Sequence, residues 1–277
     1  QSLANGYYFL AEAYLSLGEN KKAAEAYEMY LQLKPGILDD LIAEKAGEAW
    51  MAAGQYEQAI QSFQKAIQSS ATQDTARLKI RIGQAYQQMN DLESAIRQYL
   101  DAYQSTSNEY YKSQANFLAG QAYLILGFPE QAYARFQDSV NNFPRYYDTY
   151  SGLIELVNAG QPVNQLNRGL VNYFVGQYAL AAEVLLGYIN NNPDHDGTPH
   201  HYRALALRQI NNIEGALEEW QTLIRDHPGD SFYSTAWQEI AYTQWAFLEN
   251  FEGAASTLLN FVSQNPSASE APNALFS

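Results

Sequence analysis

The chain consists of amphipathic segments separated by short breaks. Segments such as 8–17 and 57–67 place apolar residues at three- and four-residue spacing, so that these side chains share one face of an α-helix. No stretch of useful length alternates apolar and polar residues, which is the pattern of a half-buried strand. The pattern predicts an all-α fold without a sheet.

One alanine recurs with the same neighbours along the chain. Its seven copies are Ala23, Ala59, Ala95, Ala132, Ala181, Ala216 and Ala254. A large apolar residue follows four positions after each copy. In five of the seven, a proline stands twelve positions after the alanine. The successive intervals are 36, 36, 37, 49, 35 and 38 residues, which indicates a repeated structural unit with one irregular interval.

Two further positions of the repeat predict how each unit is built. Five residues before the alanine stands Gly or Asn in six copies, and Glu249 is the exception; Gly and Asn suit the left-handed turn that ends a helix. Twelve residues before it the side chain is small in six copies, as at Gly120, and Tyr242 is the exception. Small residues there let two helices approach closely, while the large residue, such as Phe136, fills the adjoining space.

This order of Gly, Ala, aromatic residue and Pro, with a period near 34, resembles the tetratricopeptide repeat. The resemblance implies a right-handed α-solenoid of about seven helix hairpins. We predict four regular repeats in 1–144, an irregular linking helix in 145–168, and three further repeats in 169–277. Residues 270–276 would begin an eighth unit, so we expect the natural chain to continue past Ser277.

Composition narrows the classes of partner. The formal net charge is −14 and there is no cysteine. An acidic chain lacks the clustered Lys and Arg that nucleic acid requires, and the absence of cysteine excludes disulfides and thiolate metal sites. No apolar run approaches the roughly 20 residues of a membrane span. We therefore expect neither a nucleic-acid partner nor a membrane span.

One group of residues has the composition of a metal or catalytic site. Its members are Asp194, His195, Asp196, His200 and His201. Carboxylates and imidazoles bind divalent metals, but these residues do not share one helical face. The alternative is a loop after Pro193 in which Asp196 or Thr198 caps the next helix. We predict this loop, no metal, no cofactor and no catalytic residue, since motifs of nucleophilic or phosphate chemistry are also missing.

The remaining candidate site is the concave face formed by the first helix of each hairpin. By register, its residues are Tyr8, Glu12, Leu15, Glu48, Met51, Gln84, Gln87, Gln121, Leu124, Tyr173, Phe174 and Arg208. Such a mixture of acids, amides and rings could hold a peptide or stack on a sugar. An ordinary hydrated wall without a fixed ligand is the alternative.

The second half carries a narrower resemblance. The runs 161–189, 193–224 and 237–276 are similar to the superhelical, non-catalytic region of bacterial soluble lytic murein transglycosylases. In that family a lysozyme-like domain that cleaves peptidoglycan follows the solenoid. The family's Gly-Leu-Met-Gln and Ala-Tyr-Asn-Ala-Gly runs are missing here, and Glu93-Ser94 is accounted for by the third repeat. No catalytic residue is therefore assigned to this chain.

These observations lead to two functional hypotheses. The first is the non-catalytic scaffold of an exported bacterial cell-wall-lytic enzyme, which would reach peptidoglycan through a further C-terminal domain. Export to the periplasm or cell envelope fits the absent cysteine and a first residue, Gln1, that is not methionine; a cytoplasmic location stays open. The second is an adaptor whose concave groove binds a peptide or a protein.

Overall fold

The computed structural model describes residues 2–33, 36, 38–69 and 75–266. Throughout this part of the chain the regular structure is helical and contains no strand, which confirms the predicted all-α fold. The fifteen helices of the described residues are α1 (Ser2–Ser16), α2 (Asn20–Leu33), α3 (Asp39–Ala52), α4 (Tyr56–Ser69), α5 (Ala76–Gln88), α6 (Leu92–Ser105), α7 (Glu109–Ile125), α8 (Pro129–Asn142), α9 (Tyr147–Asn158), α10 (Gln165–Phe174), α11 (Tyr178–Asn191), α12 (Thr198–Gln209), α13 (Ile213–Asp226), α14 (Tyr233–Leu248) and α15 (Phe251–Gln264).

The tight turn inside each hairpin follows the predicted register. Asn90 and Asn211 take φ of 61° and 62°, and glycines hold the equivalent positions of four other hairpins with φ between 71° and 82°. Glu249 breaks the Gly/Asn rule in composition only, because its φ is 51°. The backbone geometry of the hairpin is thus kept even where the residue type disfavours it.

Close helix crossings explain the small residues. A Cβ atom built on Gly120 would lie 2.2 Å from Cε1 of Phe136, and one on Gly83 would lie 2.4 Å from Cε1 of Tyr99. Real Cβ atoms do not approach other heavy atoms so closely, because van der Waals contact begins near 3.5 Å. Gly120 and Gly83 are therefore required at the points where α7 crosses α8 and α5 crosses α6. The buried rings beside them form the centre of each hairpin.

The described chain divides into two compact units. Unit 1 comprises Gln1–Phe143 and Ser151–Gln161, and unit 2 comprises Pro144–Tyr150 and Pro162–Ser277. In unit 1, consecutive hairpins pack so that α2 contacts α3, α4 contacts α5 and α6 contacts α7. In unit 2, α11 contacts α12 and α13 contacts α14. Each hairpin therefore buries its apolar face against its neighbours, as repeat proteins do.

Two sequence-based expectations concern residues that the structure does not describe. Pro35 and the start of an eighth unit at 270–276 lie outside the described residues. The irregular interval contains α9, which ends at Asn158 and is followed by a left-handed Gly160 with φ of 65°. Among the described helices, none combines the length and the apolar character needed to cross a bilayer.

Candidate functional site

The predicted groove residues of unit 1 all lie on the first helices of their hairpins. These helices are α1, α3, α5 and α7. Each of the predicted side chains is half-buried, including Gln121 and Leu124 on α7. Half-burial holds a side chain in place while part of it stays accessible to a ligand. These residues therefore line a surface and do not belong to the core.

Ion pairs connect successive first helices of unit 1 at a constant separation of 33 residues. The three pairs are Glu12–Lys45, Glu44–Arg77 and Glu48–Arg81. Lys45 Nζ donates to Glu12 Oε1 at 2.8 Å, and Arg81 Nε donates to Glu48 Oε1 at 2.6 Å. Because 33 residues is about one repeat, Glu12–Lys45 and Glu48–Arg81 join successive first helices at equivalent positions, and Glu44–Arg77 lies about one helical turn from the latter pair. Pairing leaves this face with little unbalanced charge.

The carboxylate of Glu12 connects α1 to both α2 and α3. It accepts hydrogen bonds from Lys45 Nζ and, at 2.6 Å, from Tyr27 Oη. The bond from Lys45, followed by the one from Tyr27, lowers the pKa of Glu12, whereas burial raises the pKa of Tyr27. Tyr8 packs beside this group, with its ring centroid 6.1 Å from that of Tyr27. Glu12 is therefore held as a carboxylate in a fixed position.

Two depressions mark the same face. The first has a volume of about 280 Å³ and is lined by Leu15, Leu41, Glu44, Lys45, Glu48, Ala49 and Ala52. The second, of about 250 Å³, is lined by Met51, Arg81, Gln84, Gln87, Gln88 and Leu118. Five residues predicted from register, Leu15, Glu48, Met51, Gln84 and Gln87, line one or the other. Both depressions include residues of α3, so they are neighbours along the first helices.

The predicted groove residues of unit 2 belong to a denser set of aromatic rings. Tyr173 and Phe174 lie 5.2 Å and 5.5 Å from the ring of Tyr202, measured between centroids. The guanidinium of Arg145 lies 5.1 Å from the ring centroid of Phe174, a cation–π distance. These rings mainly pack on one another.

Arg208 differs from the other groove candidates because it is buried. Only 9% of the residue is exposed. Its Nη1 donates to Glu239 Oε2 at 2.6 Å and to Thr243 Oγ1 at 2.9 Å. Its guanidinium also lies 5.0 Å from the Trp220 ring and 5.2 Å from the Tyr242 ring. Arg208 is therefore engaged in holding α12 to α13 and α14, which the repeat register did not indicate.

Gly197, and not the predicted Asp196 or Thr198, is the N-cap of α12, and the N-cap residue forms no side-chain capping hydrogen bond there. Asp196 Oδ1 accepts a hydrogen bond from Thr198 N at 3.0 Å, and His200 and His201 lie in the first turn of α12. His201 stacks on Phe232 with ring centroids 4.2 Å apart. Burial lowers the pKa of His201 to about 4 and also lowers the pKa of His200. Both imidazoles are neutral at neutral pH.

A residue that the sequence reasoning missed completes a histidine cluster. His227 caps the C-terminal end of α13, and its ring centroid lies 5.0 Å from that of His195 and 5.6 Å from that of His200. His195 follows Pro193 and His227 precedes Pro228. Both prolines occupy the position that ends a repeat. Their equivalent positions in successive repeats could have indicated that the two loops lie next to each other.

Models of the tetratricopeptide repeat match three segments of unit 1. One model matches 4–36 and 76–108, and a second matches 44–71. The three segments coincide with the α1–α2, α3–α4 and α5–α6 hairpins. These segments are tetratricopeptide repeats.

Solved structures of tetratricopeptide proteins resemble the chain at low identity. A tetratricopeptide repeat protein from Parabacteroides merdae is 13% identical, with 99% of this chain and 98% of that chain covered and a TM-score of 0.45. The TPR2AB domain of yeast Sti1 in complex with pHSP90 is 18% identical, covering 99% and 95%, with a TM-score of 0.37. YrrB, described as having an unusual peptide-binding site, is 15% identical, covering 77% and 98%, with a TM-score of 0.36. No curated protein sequence matches the chain significantly.

Proposed function

We propose that this tetratricopeptide scaffold binds an extended segment of a partner protein along the first helices of unit 1. The observation that carries the proposal is the pair of neighbouring depressions shared by α1, α3, α5 and α7. Their apolar lining, such as Leu41, Met51 and Leu118, suits the side chains of a peptide. The length of the lined surface, across successive repeats, suits an extended chain better than a compact small molecule.

The polar groups of the second depression favour a peptide backbone as the ligand. Gln84 Oε1 accepts from Arg81 at 2.8 Å, and Gln87 Oε1 accepts from Tyr99 Oη at 2.8 Å. Because both amide oxygens already accept hydrogen bonds, the amide NH₂ groups are what these residues offer a partner. Two NH₂ donors on one helix match the carbonyl oxygens of an extended peptide.

A displayed library of random peptides, selected against the immobilised chain, tests the proposal. We expect selected peptides to lose affinity roughly tenfold or more when Leu41, which lines the first depression, is changed to Asp. Leu33→Asp is the matched control, because Leu33 at the end of α2 is 45% exposed and Leu41 is 48% exposed. Peptides that bind both variants equally, or a failure to select any peptide, would contradict the proposal.

A second candidate function is the framework of a peptidoglycan-lytic enzyme of the bacterial cell envelope. Its support is the sequence resemblance of 161–276 to the non-catalytic region of soluble lytic transglycosylases. On this hypothesis the chain binds cell-wall polymer and contributes no catalytic group. Co-sedimentation with purified sacculi, without release of soluble glycan fragments, is the expected result. Chain that stays in the supernatant, or that releases fragments, counts against it.

A further inference from the structure

Unit 2 contains three histidines besides His201, which stacks on Phe232. These three are arranged as metal ligands are. His195, His200 and His227 each offer one ring nitrogen, and these nitrogens all lie within 4.8 Å of one another. In a tetrahedral zinc site with Zn–N bonds near 2.0–2.1 Å, two ligand nitrogens stand about 3.3 Å apart. The nitrogens would have to move closer together by at most about 1.5 Å to coordinate one ion. His195 lies in the loop between α11 and α12, outside both helices.

Nδ1 of two of these histidines already has a partner of the kind that stands behind a metal-ligating imidazole. His200 Nδ1 lies 2.6 Å from Glu219 Oε2, and His195 Nδ1 lies 2.7 Å from the backbone oxygen of Asp196. Histidine ligands of metals typically donate the distant N–H to a carboxylate or to a backbone carbonyl, which fixes the tautomer and the ring plane. With Nδ1 acting as donor in both rings, Nε2 keeps its lone pair for a metal.

The carboxylate behind His200 is itself held in place. Glu219 Oε1 pairs with Arg203 Nη1, while Oε2 faces His200. The side chains of His200, Glu219 and Arg203 are at least 84% buried. Such a chain, from imidazole to carboxylate to guanidinium, gives His200 a fixed direction before any metal arrives.

The third histidine, His227, lies at a helix end whose partial charge favours a bound cation. His227 is the C-terminal cap of α13, and its backbone N–H donates to the oxygen of Leu223 at 2.9 Å. The carbonyl end of a helix carries partial negative charge, which stabilises a nearby cation. A cation bound here would also connect the loop before α12 to the end of α13, two consecutive repeats of unit 2.

We propose that His195, His200 and His227 form a binding site for a divalent metal ion that prefers nitrogen ligands, such as Zn²⁺. Three imidazole nitrogens suit Zn²⁺, Cu²⁺ and Ni²⁺ better than Mg²⁺ or Ca²⁺, which prefer oxygen. Three protein ligands leave one position of a tetrahedral ion for water or for a group of a partner. The prediction of no metal site considered only neighbours in sequence, whereas His227 belongs to the next repeat.

Titration of the purified, chelator-treated chain with Zn²⁺ tests the site. We expect one equivalent of Zn²⁺ to bind. His195→Gln and His227→Gln should weaken binding roughly tenfold or more, and Glu219→Gln by roughly 10- to 100-fold through loss of the supporting carboxylate. Zn²⁺ should also raise the melting temperature of the native chain but not that of His227→Gln. Unchanged affinity in His195→Gln and His227→Gln would overturn the proposal.

His201 is the matched internal control, because among the four histidines of the chain it is the one that the proposed site does not use, and it stands next to His200. His201→Gln should keep the full affinity for Zn²⁺. His201 is buried, and its replacement could reduce stability. NMR of the histidine ring nitrogens therefore tests the same point in the native chain. Signals of three histidines should move on addition of Zn²⁺ while the His201 signals stay. Equal movement of all four would mean non-specific binding and would overturn the site.

Discussion

The two units place their charged side chains differently. Unit 1 arranges ion pairs along its first helices at a spacing of 33 residues, and in the Glu48–Arg81 pair the side chains are 42% and 31% exposed. In unit 2 the Arg208–Glu239 pair lies deeper, with the two side chains 9% and 25% exposed. Exposed pairs contribute little stability, whereas a buried charge depends strongly on its partner. Loss of one partner should therefore cost more in the Arg208–Glu239 pair than in the Glu48–Arg81 pair.

The largest effect on stability is expected at a close helix crossing, where only a small residue fits. Gly120→Leu should destabilise unit 1 by several kcal/mol, at or above the roughly 3 kcal/mol of overpacked cores, because its Cβ would overlap Phe136. Gly187→Leu in α11 of unit 2 is the control, since a Cβ there meets no atom within 4 Å. Thermal melts of both variants measure the difference. An unchanged melt for Gly120→Leu would refute the repeat register.

The contrast in charge burial predicts unequal costs for removing an arginine. Arg208→Ala leaves Glu239 without its partner in a mostly buried position and should cost about 3 kcal/mol. Arg81→Ala removes a half-buried pair that water still reaches and should cost less than about 1 kcal/mol. Denaturant titrations of the two variants compare these values. Equal losses would show that the difference between the units does not lie in their ion pairs.

Acid should destabilise unit 2 through His201. Its pKa is about 4 in the folded chain against an ordinary value of 6.5, so the unfolded chain binds the proton first. Stability present above pH 6.5 is therefore lost as pH falls toward 4, and His201 alone accounts for roughly 2 kcal/mol near pH 5. Urea titrations across this range should show a weaker pH dependence for His201→Gln than for the native chain. An identical dependence would exclude His201 as the source.

The smallest expected effect concerns the turn of the last described hairpin. Glu249 holds the left-handed conformation that Gly or Asn occupies in the other hairpins, so Glu249→Gly should stabilise unit 2 by about 0.5–1 kcal/mol. Glu252→Gly, in the first turn of α15, should instead destabilise it by up to about 1 kcal/mol. Differential scanning calorimetry resolves the two directions. A stabilising Glu252→Gly would show that the turn geometry is not the cause.

The sequence predicted the hairpin turns and the close helix crossings because both depend on local rules. Glycine at a left-handed turn and small residues at crossings follow from backbone sterics within one repeat. Leu15, Met51 and Gln84 were placed on the first-helix face by periodicity alone, and they line the depressions there. The burial of Arg208 was not predicted, because its partners Glu239 and Thr243 stand 31 and 35 residues further along the chain.

The sequence by itself therefore determined that this chain folds as repeated helix hairpins, and where each hairpin turns. Helix periodicity and turn preference act over a few residues, so they can be recognised without the fold. Only the tertiary structure decided which polar groups of different repeats lie next to each other, as His227 does with His195 and His200. Such meetings depend on how one hairpin stacks on the next, a property of packing that no single segment carries.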